Sequence, residues 1–363
     1  MGVGSLIRLA TISSRYPFKN IRYRKILEGI SKRFRVYVFV GQVHLKGRER
    51  ATFRLYSLPS IKVPSRLLYV GWACSAPAFF DLIGPDLLWI FEIPILPIPR
   101  LANRPAVIDI DDPSFSYPRG MWERASRLWH IKLLRDRGVA AIVVPTYQIR
   151  ERLIELYDLP EEEVAVIPNG VDTSLFRPTP LPEDPVVLYY GSFPEYRARF
   201  LAKVLGRVAE RRRDVKFILI GDVPKWFRDF IVERGLRDRV ETPGFIEHDR
   251  LPAWIRRARV TIFPQERSLG GRLPTKLLDY MASGRPIVAT DVEESWPVKD
   301  ARSGIITRVD AGEFSEAILR LLDDDRLAEK LASEGIRYAE RFEWKFIIER
   351  YVELLKALVE EIR

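Results

Sequence analysis

Short apolar runs rich in β-branched residues alternate with amphipathic helical stretches along almost the whole chain, and this alternation leaves few folds open. In the first half the runs read LIRLATIS (Leu6 to Ser13), RVYVFV (Arg35 to Val40), LLWIFE (Leu87 to Glu92), AVIDID (Ala106 to Asp111), AAIVVPT (Ala140 to Thr146) and VAVIPNG (Val164 to Gly170). Helical spacing predicts helices over Asn20 to Lys32, Gly120 to Asp136 and Tyr147 to Tyr157. Near-continuous apolar strands separated by helices belong to a parallel sheet covered on both faces. From Thr173 to Pro185 the pattern stops: thirteen residues hold four prolines and no period, which reads as a linker. The alternation then resumes with VVLYYGS (Val186 to Ser192), VKFILIGD (Val215 to Asp222), RVTIFP (Arg259 to Pro264), PIVATD (Pro286 to Asp291) and GIITRV (Gly304 to Val309). The expectation is α/β throughout: a domain over residues 1–172, a proline-rich linker over 173–185, a second domain over 186–344, and a last helix over 345–363 that crosses back to the first. In doubly wound sheets the ligand lies at the carboxyl ends of the strands.

Composition narrows the function less than the distribution of charge does. The single cysteine, Cys74, rules out an internal disulfide and a cysteine metal cluster, and His44, His130 and His248 have no ligand-like spacing. No signal-peptide pattern opens the sequence, so a soluble protein in a reducing cytoplasm is expected. Of the net charge of +10, the first 66 residues carry 15 Lys and Arg against only Glu28 and Glu49, so the excess is confined there. Such a field attracts anionic lipid, nucleic acid or a phosphorylated substrate; equally, it can be a solvated face. No RNP motif, Cys/His finger or helix-turn-helix accompanies it, which disfavours nucleic acid. The apolar stretch Leu67 to Pro99 is broken by Asp81, Glu92 and five prolines, and reads as a buried helix, a strand and an apolar loop, the alternative being a loop that touches a membrane.

The stretch RLPTKLLDYMASGRPIVATD (Arg272 to Asp291) predicts a helix followed by a strand. Pro274 suits the first helical position and Gly284 the left-handed stop. Leu273, just before, has no side-chain oxygen to satisfy the first amides, which are left for an anion; Gly270 and Gly271 allow a backbone to come close. Thr275, Lys276 and Asp279 share a face at spacings of three and four. There Lys276 can neutralise a phosphate and Asp279 can accept ribose hydroxyls; the alternative is that Thr275 caps the helix and Lys276 pairs with Asp279 at the surface.

In chain order the sequence also carries VIPNGVDTSLFRP (Val166 to Pro178), YYGSFPEYR (Tyr189 to Arg197), FILIGD and VETPGFIEHDRLPAWIRRARVTIFP (Val240 to Pro264) ahead of that stretch. The series resembles the second domain of retaining, nucleotide-sugar-dependent glycosyltransferases of the GT-B fold, in the large group known as family 4. The resemblance is specific from about Ala140 onward and weaker before it. It implies two Rossmann-like, doubly wound domains facing across a cleft, the first for the acceptor and the second for the nucleotide sugar. It sets Gly191 and Ser192 near the diphosphate, with Arg197 as the one remaining cation of a pair that the family carries after this glycine. It sets Gly244, Phe245 and Ile246 along the base, and Asp279 at the ribose in place of the family's second motif glutamate. The first motif glutamate falls at Gly271 and is missing; Glu266, five residues upstream, is a candidate to reach the sugar instead. In the first domain Asp111 and Asp112 match a loop that faces the donor sugar in relatives, though acids there can simply cap a helix. Asp109, inside the strand, reads as structural.

The reaction implied is transfer of a sugar from a nucleoside diphosphate to an acceptor hydroxyl, lipid-linked or another glycan, with retention at the anomeric carbon. Arg197, Lys276, Arg272 and the amides after Gly270 would stabilise the leaving diphosphate without a metal or cofactor. The basic segment would then meet the cytoplasmic face of an anionic membrane. Two other readings are a non-catalytic membrane-surface or nucleic-acid binder on the same scaffold and a nucleotide-sugar 2-epimerase; the combined motifs argue against the second.

Overall fold

The structure, a computed structural model, describes residues 7–13, 20–40, 54–57, 80–91, 100, 102–111, 131–268 and 270–362. Asp112, the loop at 14–19, residues 120–130 of the helix expected over Gly120 to Asp136, and most of Leu67 to Pro99 lie outside the described residues. The chain forms two units: Met1–Asn169 with Trp344–Arg363, and Gly170–Glu343.

The first unit is built on a seven-stranded sheet in the order β3-β2-β1-β4-β5-β6-β7. Its strands are β1 (Arg8–Ser13), β2 (Arg35–Val40), β3 (Arg54–Ser57), β4 (Leu87–Phe91), β5 (Ala106–Asp109), β6 (Val139–Val144) and β7 (Val164–Val166), all paired in parallel. Helix α1 (Ile21–Ile30) opens where Asn20 Oδ1 accepts from the Tyr23 amide at 3.2 Å, and it buries Tyr23, Ile26, Leu27 and Ile30 at helical spacing. Helix α2 (Tyr147–Tyr157) is capped in the same way by Thr146. The last helix, Trp344–Ile362, shares a core with α1, β1 and β4 through Ile347, Tyr351, Leu355 and Val359. Fully buried Arg22 ties these pieces together: it donates to Asp109 Oδ1 (3.3 Å), Tyr351 Oη (2.6 Å), Ile167 O (3.0 Å) and Asn169 Oδ1 (2.9 Å). Asp109 is therefore a core partner of a buried cation.

The second unit holds a six-stranded parallel sheet in the order β10-β9-β8-β11-β12-β13. Its strands are β8 (Val186–Tyr190), β9 (Lys216–Ile220), β10 (Val240–Gly244), β11 (Val260–Phe263), β12 (Ile287–Thr290) and β13 (Gly304–Thr307). Helices α3 (Glu195–Arg211), α4 (Lys225–Glu233), α5 (Leu251–Ile255), α6 (Thr275–Ala282), α7 (Trp296–Ala301), α8 (Ala311–Asp323) and α9 (Asp325–Ala339) cover both faces; the last helix of the first unit follows as α10. Edge strand β10 was not expected, because VETPG contains a proline and a glycine; at an edge a missing amide costs little. The strand order turns around between β8 and β11, which places the open crevice of this sheet at their carboxyl ends.

The proline-rich stretch expected as a linker lies along the second unit. Phe176 is fully buried with Leu277 and Met281, Arg285 Nη1 donates to Thr179 O at 2.8 Å, and Arg259 Nη1 to Pro182 O at 2.9 Å. Among the described residues no helix is long and apolar enough to cross a membrane.

Candidate active site

Three glycines, Gly191, Gly221 and Gly244, stand at the carboxyl ends of the adjacent strands β8, β9 and β10. Gly191, after β8, has φ +140° and donates to Ile220 O at 2.9 Å; Gly221, after β9, has φ +136° and donates to Gly244 O at 2.9 Å. A Cβ on Gly191 would stand 2.2 Å from Lys276 Nζ, and one on Gly221 would stand 2.1 Å from Gly191 O. Only glycine at 191 leaves space for the lysine to lie across the strand end.

Lys276 Nζ donates to Tyr190 O at 2.8 Å and sits 4.8 Å from the centre of the Tyr189 ring. Burial, with Arg197 and Arg272 close by, draws its pKa down to about 7. Arg272 is half-buried and has no hydrogen bond or ion pair among the described residues. The helix that presents Lys276 begins one residue later than expected: Pro274, at φ −69° and ψ 117°, is still extended and is itself the cap. No side chain caps this helix, so its first amides are uncovered by side chains, but the residue before the helix is a proline and not Leu273. Thr275 is the first helical residue, not a cap, and Lys276 makes no ion pair with Asp279.

Asp279 is only 1% exposed. Its Oδ2 accepts from Tyr190 Oη and lies 3.1 Å from His248 Nε2. Burial and the adjacent carboxylate push the Tyr190 phenol well above its ordinary range, so it stays a donor. The carboxylate is thus oriented from below by groups on β8 and on the segment after β10. Along that segment Gly244 turns at φ +80°, Phe245 is 79% exposed and Ile246 is half-buried.

Arg197, expected at the phosphates, is turned inward. It is 6% exposed and donates to Ser192 O (2.9 Å), Ser192 Oγ (3.1 Å), Tyr189 Oη (3.3 Å) and Gln265 Oε1. It braces the turn after β8 against the loop after β11. The glycine pair also differs from expectation. Gly270 (φ +103°) and Gly271 (φ +69°) do turn the backbone, but their amides are engaged: Gly270 donates to Ser268 Oγ at 3.1 Å, Gly271 to Glu294 Oε1 at 3.0 Å. Amide donors to a ligand at this point therefore come from the start of α6. Glu266 is half-buried with no hydrogen bond or ion pair among the described residues.

The structure brings Gly191, Ser192, Arg197, Arg272, Lys276 and Asp279 together at the ends of β8 and β11. Asp111 is half-buried just beyond β5 in the first unit. Sequence reasoning missed Tyr190, Gln265, His248 and Glu294. Two of these are readable as residue types: His248 is one of only three histidines in the sequence, and Glu294 follows a strand at its carboxyl end.

Residues 23–175 match the family described as Glycosyltransferase Family 4, and residues 184–324 the one described as Glycosyl transferases group 1. The chain belongs to glycosyltransferase family 4 and has the GT-B fold. It is 29% identical over 258 residues to an alpha-D-kanosaminyltransferase of Streptomyces kanamyceticus, covering 65% of this chain and 66% of that protein. It is also 29% identical over 252 residues to a D-inositol 3-phosphate glycosyltransferase of Thermobispora bispora, covering 62% and 57%. The chain thus spans less than two thirds of the length of these relatives. Among solved structures, sucrose-phosphate synthase of Thermosynechococcus elongatus superposes with TM-score 0.78 at 19% identity, covering 98% of this chain and 100% of that one. HepE of Anabaena, in complex with UDP, superposes with TM-score 0.76 at 17% identity over 97% and 100%. Both confirm the fold.

Proposed function

We propose that this protein transfers a sugar from a nucleoside diphosphate to an acceptor hydroxyl, with retention at the anomeric carbon. The observation that carries the reading is the pair Lys276 and Arg272 at an uncapped helix start, with no carboxylate within ion-pair distance of either among the described residues. Two cations and uncapped helix amides in one crevice suit a diphosphate, and they stabilise it more as the glycosidic bond breaks and charge builds on it. Asp279, held by Tyr190 and His248, takes the ribose hydroxyls; Phe245, with Gly244 and Ile246, borders the base; Ser192 lies beside the phosphates. Glu266 is the carboxylate assigned to the sugar, and Asp111 and Asp112 of the first unit to the sugar or the acceptor. In the step itself the acceptor oxygen bonds to the anomeric carbon as the bond to the β-phosphate oxygen breaks. A phosphate oxygen on the same face takes the acceptor proton, so neither a protein base nor a metal is required.

The test is a titration of UDP, GDP and ADP into the wild type and Lys276→Met. One diphosphate is expected to bind, and loss of the charge-assisted contact to weaken it by about 10- to 100-fold. No binding of any of the three at millimolar concentration would remove this reading.

A further inference from the structure

The loop that leads into Arg272 and α6 has glycine at 271, and a carboxylate lies against that position. It comes from elsewhere in the chain. Glu294, in the turn after β12, is 1% exposed and places Oε1 3.0 Å from the Gly271 amide nitrogen and 3.2 Å from Ser268 Oγ. Ser268 Oγ also lies 2.6 Å from Glu293 Oε2 and accepts from the Gly270 amide at 3.1 Å. Two consecutive left-handed glycines make this geometry available, since φ values of +103° and +69° would strain a residue with a side chain. A side chain at 271 would therefore strain this turn.

We infer that Glu294 is a positioning residue for the donor phosphates: by accepting from the Gly271 amide it fixes the backbone immediately before Arg272, and so aims Arg272 and the first amides of α6 at the crevice. Three features separate this from simple packing. A buried carboxylate is costly unless hydrogen-bonded, so a position that only needed filling would be better served by an apolar side chain. The contact is made to a loop amide and not to a core strand. The residue next in the chain is the half-buried arginine that lacks a partner among the described residues. Gln265, on the other side of the loop, takes the Arg197 guanidinium on Oε1 and donates through Nε2 to Arg267 O at 2.8 Å, so the loop is held at both ends and its middle is aimed by Glu294.

The inference rests on the donor-binding reading above, and the experiment separates the two. Amide hydrogen exchange at Gly271 is measured on the ligand-free wild type, Glu294→Gln and Glu294→Ala, and then the nucleoside mono- and diphosphates of the base that binds are titrated into each. The glutamine still accepts a hydrogen bond, so Glu294→Gln should keep Gly271 protected and hold diphosphate affinity within about 3-fold of the wild type. Glu294→Ala should expose the amide and weaken the diphosphate by about 10-fold, with monophosphate affinity within about 2-fold, because one hydrogen bond to a charged group is at stake. Unchanged exchange in Glu294→Ala overturns the inference whether or not a nucleotide binds. Equal weakening of mono- and diphosphate together with a lowered melting temperature overturns it in favour of a structural role, and a glutamine variant as impaired as the alanine overturns the hydrogen-bond mechanism. Failure of the wild type to bind any diphosphate counts against the donor site itself, while the exchange result still decides the loop.

Discussion

Lys276 links the charge state of the site to its occupancy. In the free protein burial and two neighbouring guanidinium groups draw it to about 7 from an ordinary 10.5, so at pH 8 it is mostly neutral. A bound diphosphate favours the ammonium and raises that pKa, so binding at pH 8 should take up close to one proton, and affinity should fall as pH rises above 7. Calorimetry in two buffers of different ionisation enthalpy measures the uptake directly. Lys276→Arg should abolish it while keeping diphosphate affinity, since guanidinium does not titrate there; a proton count near zero in the wild type would refute the shift. The same depression is a stability cost in the free protein, complete below pH 7 and fading towards 10.5, where the unfolded lysine also loses its proton. Lys276→Met should thus raise the melting temperature of the free protein most at and below neutral pH. Sequence spacing was enough to set Lys276 and Asp279 on one helix face. It could not disclose that Asp279 is oriented by His248, 31 residues away, or that Arg197 turns inward, because those contacts are chosen by packing between elements.

At the scale of elements, α1 and α10 show how tightly one helix pair can specify itself. A Cβ on Gly29 would stand 2.4 Å from Ile348 Cδ1, 2.6 Å from Cγ1 and 2.7 Å from Cγ2, so rotation of the tip of the isoleucine alone cannot clear it. Gly29→Ala gains roughly 1 kcal/mol of helix propensity but overpacks the contact by about 1 to 3 kcal/mol. Net destabilisation by denaturant unfolding is expected, and Ile348→Ala in the same background should recover part of it; a Gly29→Ala protein more stable than the wild type would show that the helices can separate freely. Both helices were legible in the sequence, α1 to within two residues at its carboxyl end, because apolar residues recur at helical spacing and Asn20 announces the start. Strands β3 and β10 were not legible. Each is an edge strand, and VETPG lacks the apolar run that burial on both faces imposes on the central strands. The start of α6 was misplaced by one residue for a related reason: proline is compatible both with the first helical position and with the extended residue before it, and only ψ decides.

At the scale of the whole molecule, charge is the property that sequence alone states most clearly. The first 66 residues carry 15 Lys and Arg against two acids, while the chain as a whole has a net charge of +10, so the remainder is close to neutral and slightly acidic. A field concentrated in this way acts over about a Debye length, roughly 10 Å at 0.1 M salt, and each basic residue near an anionic bilayer contributes about 1 kcal/mol. If the acceptor is lipid-linked, the protein should therefore sediment with vesicles containing phosphatidylserine at about 0.1 M salt, ignore vesicles of phosphatidylcholine alone, and be released near 1 M, where screening shortens to about 3 Å. Replacing Lys46, Arg48 and Arg50 with glutamine should weaken vesicle binding while leaving nucleoside diphosphate affinity unchanged, because the cations proposed to hold the diphosphate, Arg272 and Lys276, belong to the second unit. The distinction matters physically: a site that holds a diphosphate by hydrogen bonds in a half-buried crevice loses little to screening, whereas a diffuse basic surface loses nearly all its attraction. Equal binding to neutral and anionic vesicles, or salt-sensitive binding to RNA in place of vesicles, would assign the basic segment to another partner and leave the donor site untouched.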